Sequence, residues 1–92
     1  MMTVHDTAVP TIPRGVRLSE DSVRNRWVLL APERILELDQ VAQAVLALCD
    51  GKRDVAQISG ELARTYKADA SEIMTDVKEM LGDLAAKHFV SL

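Results

Sequence analysis

The stretch from Gln40 to Cys49 constrains this chain more than any other, because eight of its ten positions are apolar: Val41, Ala42, Ala44, Val45, Leu46, Ala47, Leu48 and Cys49. On a helix of about 3.6 residues per turn they cover most of the circumference. A helix with almost no polar face has to be enclosed by its neighbours. Asp39 supplies an N-cap before it and Asp50-Gly51 a glycine cap after it. A discrete buried helix is therefore expected at the centre of the core. A chain of 92 residues has material for one such core, and the flanking sequence must cover it.

Downstream the cover is helical. Asp54 and Gln57 read as a capping box opening a second helix to about Tyr66, with the stripe Val55, Ile58, Leu62 and Tyr66. Asp69 and Glu72 repeat the signal for a third helix to about Ala86, apolar at Ile73, Met74, Val77, Met80, Leu81, Leu84 and Ala85. That arc spans about 140° of the wheel, wider than one core face requires. Upstream the pattern is that of strands: Val16-Arg17-Leu18, then Trp27 to Ala31, then Arg34 to Leu38. Asn25 tolerates a left-handed turn between the first two. Pro32 suits the first central position of a type I turn, which predicts a widened or irregular loop between the last two. Residues 1–14, interrupted by Pro10 and Pro13, read as a flexible N-terminal arm, and residues 15–92 as a single domain. The order predicts an α+β, winged-helix-like fold: a small three-stranded antiparallel sheet followed by a three-helix bundle.

Charge and chemistry narrow the function. The net charge is −3, and residues 39–92 hold nine acidic against six basic side chains, so the helical part would repel phosphate. Aromatic residues are limited to Trp27, Tyr66 and Phe89, too few for a stacking platform on single-stranded nucleic acid. The lone Cys49 cannot form an intramolecular disulfide and fits a reducing compartment, so a cytoplasmic location is expected. No apolar run approaches the roughly 20 residues of a bilayer-spanning helix. The histidines, His5 and His88, sit in the arm and the tail, away from any nucleophile that needs a base. No metal-ligand spacing, phosphate loop or dinucleotide fingerprint occurs, so no catalytic residue, metal or cofactor is expected.

What remains informative is geometry. In a three-stranded meander, strand three is an edge with unpaired N–H and C=O groups, and the last helix can border it. An extended peptide can add there as a fourth strand. Alternation puts Leu36 and Leu38 on one face of strand three and Ile35 and Glu37 on the other. On the last helix, Val77 and Leu84 mark the centre of the stripe, with Met74 and Met80 toward its edges, where methionine adapts to a ligand. Whether the same edge pairs two copies is left open, so monomer or weak homodimer are both expected states.

The string itself resembles a known family. Arg14-Gly15-Val16-Arg17-Leu18, then Val23-Arg24-Asn25-Arg26-Trp27-Val28-Leu29-Leu30-Ala31-Pro32-Glu33-Arg34, then Leu36-Glu37-Leu38, is similar to the PqqD family of pyrroloquinoline quinone biosynthesis. Asp50-Gly51, Val55, Ile58, Leu62-Ala63, Tyr66, Ile73, Asp76-Val77 and Leu81 continue the match over about residues 13–87. The resemblance implies a non-enzymatic peptide chaperone, a RiPP recognition element, that binds the precursor peptide PqqA and presents it to the radical S-adenosylmethionine enzyme PqqE for Glu-Tyr cross-linking. It implies peptide contact at Arg34, Ile35, Leu36, Glu37 and Leu38 on the strand and at Ile73, Asp76, Val77, Met80 and Leu81 on the helix. Two positions depart from the family pattern: Asn25 and His88 stand where glycine is common. A winged-helix transcription regulator is the alternative reading, opposed by the acidic last helix. An acidic carrier protein, a third reading, would be all helical.

Overall fold

A computed structural model describes residues 4–92 of the chain. Its elements run β1 (Arg17–Asp21), β2 (Arg26–Ala31), β3 (Arg34–Leu38), α1 (Gln40–Ala47), α2 (Val55–Tyr66) and α3 (Ala70–Ala86). The sheet is an antiparallel meander in the order β1-β2-β3, so sheet and helices follow one another as expected. In register, Leu29 lies opposite Leu18 and Leu36, and Trp27 opposite Glu20 and Leu38. Leu29 is fully buried, and Trp27 is half-buried against the same core, which makes the indole a sheet anchor.

The β2–β3 loop is tighter than its residues predict. Ala31 pairs with Arg34, leaving only Pro32 and Glu33 between the strands. Glu33 adopts φ 61°, and with a proline φ before it this is the pattern of a type II turn rather than type I. The pattern hides because a glutamate stands where glycine normally signals positive φ. Asn25 is also left-handed, at φ 53°, so the first turn keeps its shape without glycine.

The helix starts follow the caps. Asp39 accepts from the Ala42 N–H at 2.7 Å, and Asp54 and Gln57 make the full reciprocal box. Asp69 accepts from the Ser71 and Glu72 N–H groups, but the Glu72 side chain does not return the bond, so this box is half formed. Its carboxyl lies below the usual carboxylate range because the Ser71 hydroxyl and those N–H groups bind the anion.

Helix α1 corrects the expectation of a fully enclosed centre. It ends at Ala47, and only Val45 and Leu46 are buried within it, while Val41 is 55% exposed. Gly51 is not its cap but the hinge of the following turn: at φ 77°, a Cβ there would meet Thr11 Cγ2 at 2.9 Å. Asp50 stabilises that turn by accepting from the N–H groups of Arg53 and Lys52, which hold its carboxyl below the ordinary range. The core is shared by all layers: Leu29 and Leu38 of the sheet, Val45 and Leu46 of α1, Val55, Ile58 and Leu62 of α2, and Val77, Leu81 and Leu84 of α3.

The segment from Val4 to Pro13, which composition marks as an arm, lies against this core; the arm's first three residues are outside the described residues. Val4 and Pro10 are buried. The carbonyls of Ala8 and Asp6 accept from Val55 and Ala56, two first-turn N–H groups of α2 that have no partner inside the helix. Thr11 exchanges backbone bonds with Ser91, and Asp6 pairs with Lys78 of α3.

Candidate functional site

Strand β3 pairs only with β2 among the described residues, so every other residue of its free edge directs N–H and C=O groups outward. Its side chains divide as alternation predicts. Leu38 is buried and Leu36 half-buried on the helix side, whereas Ile35 is 67% exposed on the outer face. Glu37 shares that outer face and pairs with Arg26 at 3.0 Å. Arg26 also holds Asp21 at 3.2 Å. Partial desolvation opposes ionisation of Asp21, but hydrogen bonds from Arg24 and Arg26 outweigh it and keep the carboxyl below its usual range. Arg34 begins the strand and is tied to the far end of α3: its Nη1 donates to the Lys87 carbonyl at 2.8 Å, and its guanidinium stands 4.3 Å from the Phe89 ring centroid.

Between the helices lies an apolar cavity. About 280 Å³ is enclosed by Val41 and Val45 of α1, Leu62 and Tyr66 of α2, and Ile73, Asp76, Val77 and Met80 of α3. Strand β3 connects to these helices at its two ends: Arg34 is bonded to the Lys87 carbonyl past the end of α3, and Leu38 is followed after one residue by α1, whose Val41 and Val45 line the cavity. Four of the five α3 residues expected to meet a peptide line this cavity. The fifth, Leu81, is fully buried, about 80° around the helix from Ile73 on the core side. Of the β3 residues, Leu36 and Leu38 lie on the core side of the sheet, Ile35 and Glu37 lie on its outer face, and Arg34 is bonded to the end of α3.

Sequence reasoning missed Val41, Val45, Leu62 and Tyr66 as lining residues. The signal was present in the apolar excess of α1 and in Tyr66 at the end of the α2 stripe, which the structure leaves 44% exposed. The walls are almost wholly apolar, and the space suits one large side chain rather than a cofactor. Cys49, the chain's one thiol, is buried, donates to the Val45 carbonyl at 3.3 Å and is pushed up to about 12 by burial and the neighbouring Asp50 charge. A thiol so protonated is no nucleophile at neutral pH. Among the described residues no group of three His, Cys, Asp or Glu side chains is placed to hold a metal, and no helix is long and apolar enough to cross a membrane.

A three-stranded meander with an unpaired edge, set against a helical layer with an apolar cavity, defines a small α+β binding domain. The family described as Coenzyme PQQ synthesis protein D (PqqD) matches residues 26–90, and the chain belongs to it. It is 51% identical over 90 residues to the PqqA binding protein of Rhodopseudomonas palustris strain TIE-1, covering 98% of this chain and 88% of that one. It is 46% identical over 92 residues to the PqqA binding protein of Xanthomonas campestris pv. campestris strain 8004, each chain covered in full. The solution structure of the PqqD truncation of Methylobacterium extorquens PqqCD, described as a stand-alone RiPP recognition element, superposes with TM-score 0.86 at 48% identity, over 97% of this chain and 95% of that one. The crystal structure of PqqD from Xanthomonas campestris superposes with TM-score 0.62 at 46% identity, over 98% and 100% of the two chains.

Proposed function

We propose that this chain is a peptide chaperone of pyrroloquinoline quinone biosynthesis, which takes up the precursor peptide PqqA as an added strand on β3 and presents it to the radical S-adenosylmethionine enzyme PqqE for Glu-Tyr cross-linking. The observation that carries this reading is the free edge of β3 together with the apolar cavity among the helices, in a chain whose relatives are named PqqA binding proteins. The edge supplies backbone partners, and the cavity takes a side chain that alternates toward the helices. About four added hydrogen bonds at about 1 kcal/mol each and two or three buried aliphatic side chains at about 2 kcal/mol each stand against the cost of association. Micromolar affinity, about −8 kcal/mol, is within reach of that balance.

On this reading the chain performs no chemistry of its own and needs no cofactor or metal. It works in the cytoplasm, where the ribosomal precursor is made, as a monomer or weak homodimer in which edge pairing would compete with the peptide. The acidic α3 weighs against reading the same helical order as a DNA-binding regulator. The test is an NMR titration of isotopically labelled protein with unlabelled PqqA. Saturable amide shifts concentrated on residues 34–38 and 73–81 are expected. Shifts elsewhere, or none at high peptide concentration, overturn the reading.

A further inference from the structure

Resting on the peptide-capture reading above, we infer that the precursor segment seated in the α1–α3 cavity carries a large apolar side chain flanked by lysine or arginine, because the cavity runs into an unpaired acidic row on α3.

Glu72, Asp76, Glu79 and Asp83 recur at spacings of four, three and four, which aligns them in one stripe along α3. All four are exposed, and among the described residues none lies within ion-pair distance of a cation. Several other acidic side chains are compensated by cations, Asp21 by Arg24 and Arg26, Glu37 by Arg26, Asp50 by Arg53 and Glu61 by Arg64, and Asp39, Asp54 and Asp69 are engaged as helix caps. The basic residue within α3, Lys78, points to the opposite edge of the helix and is taken by Asp6. Neighbouring like charges at these spacings destabilise the helix that carries them, so the row is a cost to the free protein that a cationic partner relieves. Lys67, next to Tyr66 in the chain, and Lys87, four residues after Asp83, are two charges against the row's four, and neither is within ion-pair distance of it.

Position links the row to the cavity. Asp76 belongs to both, and a shallow hollow lined by Asp76, Glu79, Met80 and Asp83 shares Asp76 and Met80 with the apolar space. A lysine or arginine beside the anchoring side chain can lay its aliphatic stem across Met80 and place its charge between the carboxylates. The occupant is thus a peptide of mixed apolar and basic character, held by burial in one part and by charge in the other.

Anisotropy of fluorescently labelled PqqA tests this on three proteins: the wild type, the Asp76→Asn/Glu79→Gln variant, and a charge-matched Glu20→Gln/Glu61→Gln variant altered away from the groove. Circular dichroism confirms that all three are folded. At low ionic strength the groove variant is expected to lose about five- to tenfold in affinity and the matched variant less than about twofold, the gap closing near about 1 M salt. If wild-type protein binds PqqA and both variants bind it equally well, the charge inference is overturned and peptide capture stands. If wild-type protein does not bind PqqA at all, peptide capture falls and takes this inference with it.

Discussion

The guanidinium of Arg34 stands 4.3 Å from the ring centroid of Phe89 while donating to the carbonyl of Lys87, so the first residue of β3 clamps the end of α3. The contact joins residues 53 apart in sequence and places a cation at a helix C-terminus, where the backbone carbonyls favour it. It also commits Arg34 to the protein's own structure, which leaves less of it for a peptide. Arg34→Ala is expected to cost about 1–2 kcal/mol from lost stacking and hydrogen bonding. Arg34→Lys should recover only part, because an ammonium lacks the planar face. Thermal unfolding followed by circular dichroism measures both; equal melting temperatures for the wild type and Arg34→Ala would show the clamp to be energetically idle.

His88 follows α3 in the left-handed region at φ 65°, with its own N–H donating to Ala85 and the Phe89 N–H donating to Leu84. This is a Schellman cap with buried Phe89 and Leu84 as its apolar contact, built on a residue that carries a Cβ. His88→Gly relieves the steric cost of that conformation, about 1 kcal/mol. Urea denaturation should show a higher midpoint with an unchanged slope. A lower midpoint would mean that the imidazole makes a contribution larger than the strain.

Cys49 should be inert in the folded protein. Burial, with a smaller push from Asp50, raises its folded pKa to about 12, above the ordinary thiol value near about 8.5. The folded state therefore holds its proton where the unfolded state releases it. The associated stability is fully present below about pH 8.5 and is lost as pH rises toward about 12, by at most about 1.4 kcal/mol per pH unit. Iodoacetamide at pH 8 is expected to label unfolded protein and spare the native state. Rapid native labelling would show the thiol to be reachable.

The fold was readable because its punctuation is local. Asp39, Asp54 and Asp69 announce helices by side-chain chemistry within three residues of each start, and alternation along β3 separates Leu36 and Leu38 from Ile35 and Glu37. The α3 half of the groove could be seen in a stripe too wide for one packing face. The wall made by Val41 and Tyr66 could not, since exposure of an apolar residue depends on where α1 ends and which neighbour fails to cover it. Glu37 and Ile35 turned outward because β3 has two faces and sequence does not say which meets the helices when both carry an apolar residue. Leu81 was placed in the groove by resemblance, while its angle on the helix puts it in the core. The packing of the Val4–Pro13 segment depends on α2's unpaired N–H groups, which composition does not reveal.

That packing has a measurable consequence. Removing residues 1–10 would uncover the Val55 and Ala56 N–H groups and delete the buried Val4 and Pro10. Two helix N–H groups lose their partners and two buried side chains are removed, partly offset by the ordering entropy of the segment, and a net loss of about 2 kcal/mol is expected. Hydrogen exchange should accelerate at Val55 and Ala56 before it does so at Leu81. A truncated protein with an unchanged melting temperature and unchanged protection would show that the segment rests on the domain without stabilising it.

The cavity wall separates binding from stability within one turn of α3. Val77 is 2% exposed and belongs to the core, so Val77→Asp buries an uncompensated charge and is expected to unfold the domain, making it unsuitable as a binding probe. Met80 lines both the cavity and the acidic hollow from a half-buried position, and Ile73 is similarly placed at the other end. Met80→Ala and Ile73→Ala each remove a few methylene-sized groups of contact from a bound side chain, about 1–1.5 kcal/mol, or roughly tenfold in affinity for PqqA. The half-buried starting point keeps their effect on folding smaller than that of a core truncation at Leu81, where about 2–5 kcal/mol is expected. Isothermal titration of the three variants beside their melting curves decides the matter. Met80→Ala and Ile73→Ala should bind weakly while melting near the wild type, and Leu81→Ala should melt early yet, in its folded fraction, bind almost normally. The reverse pattern would place the peptide on another surface.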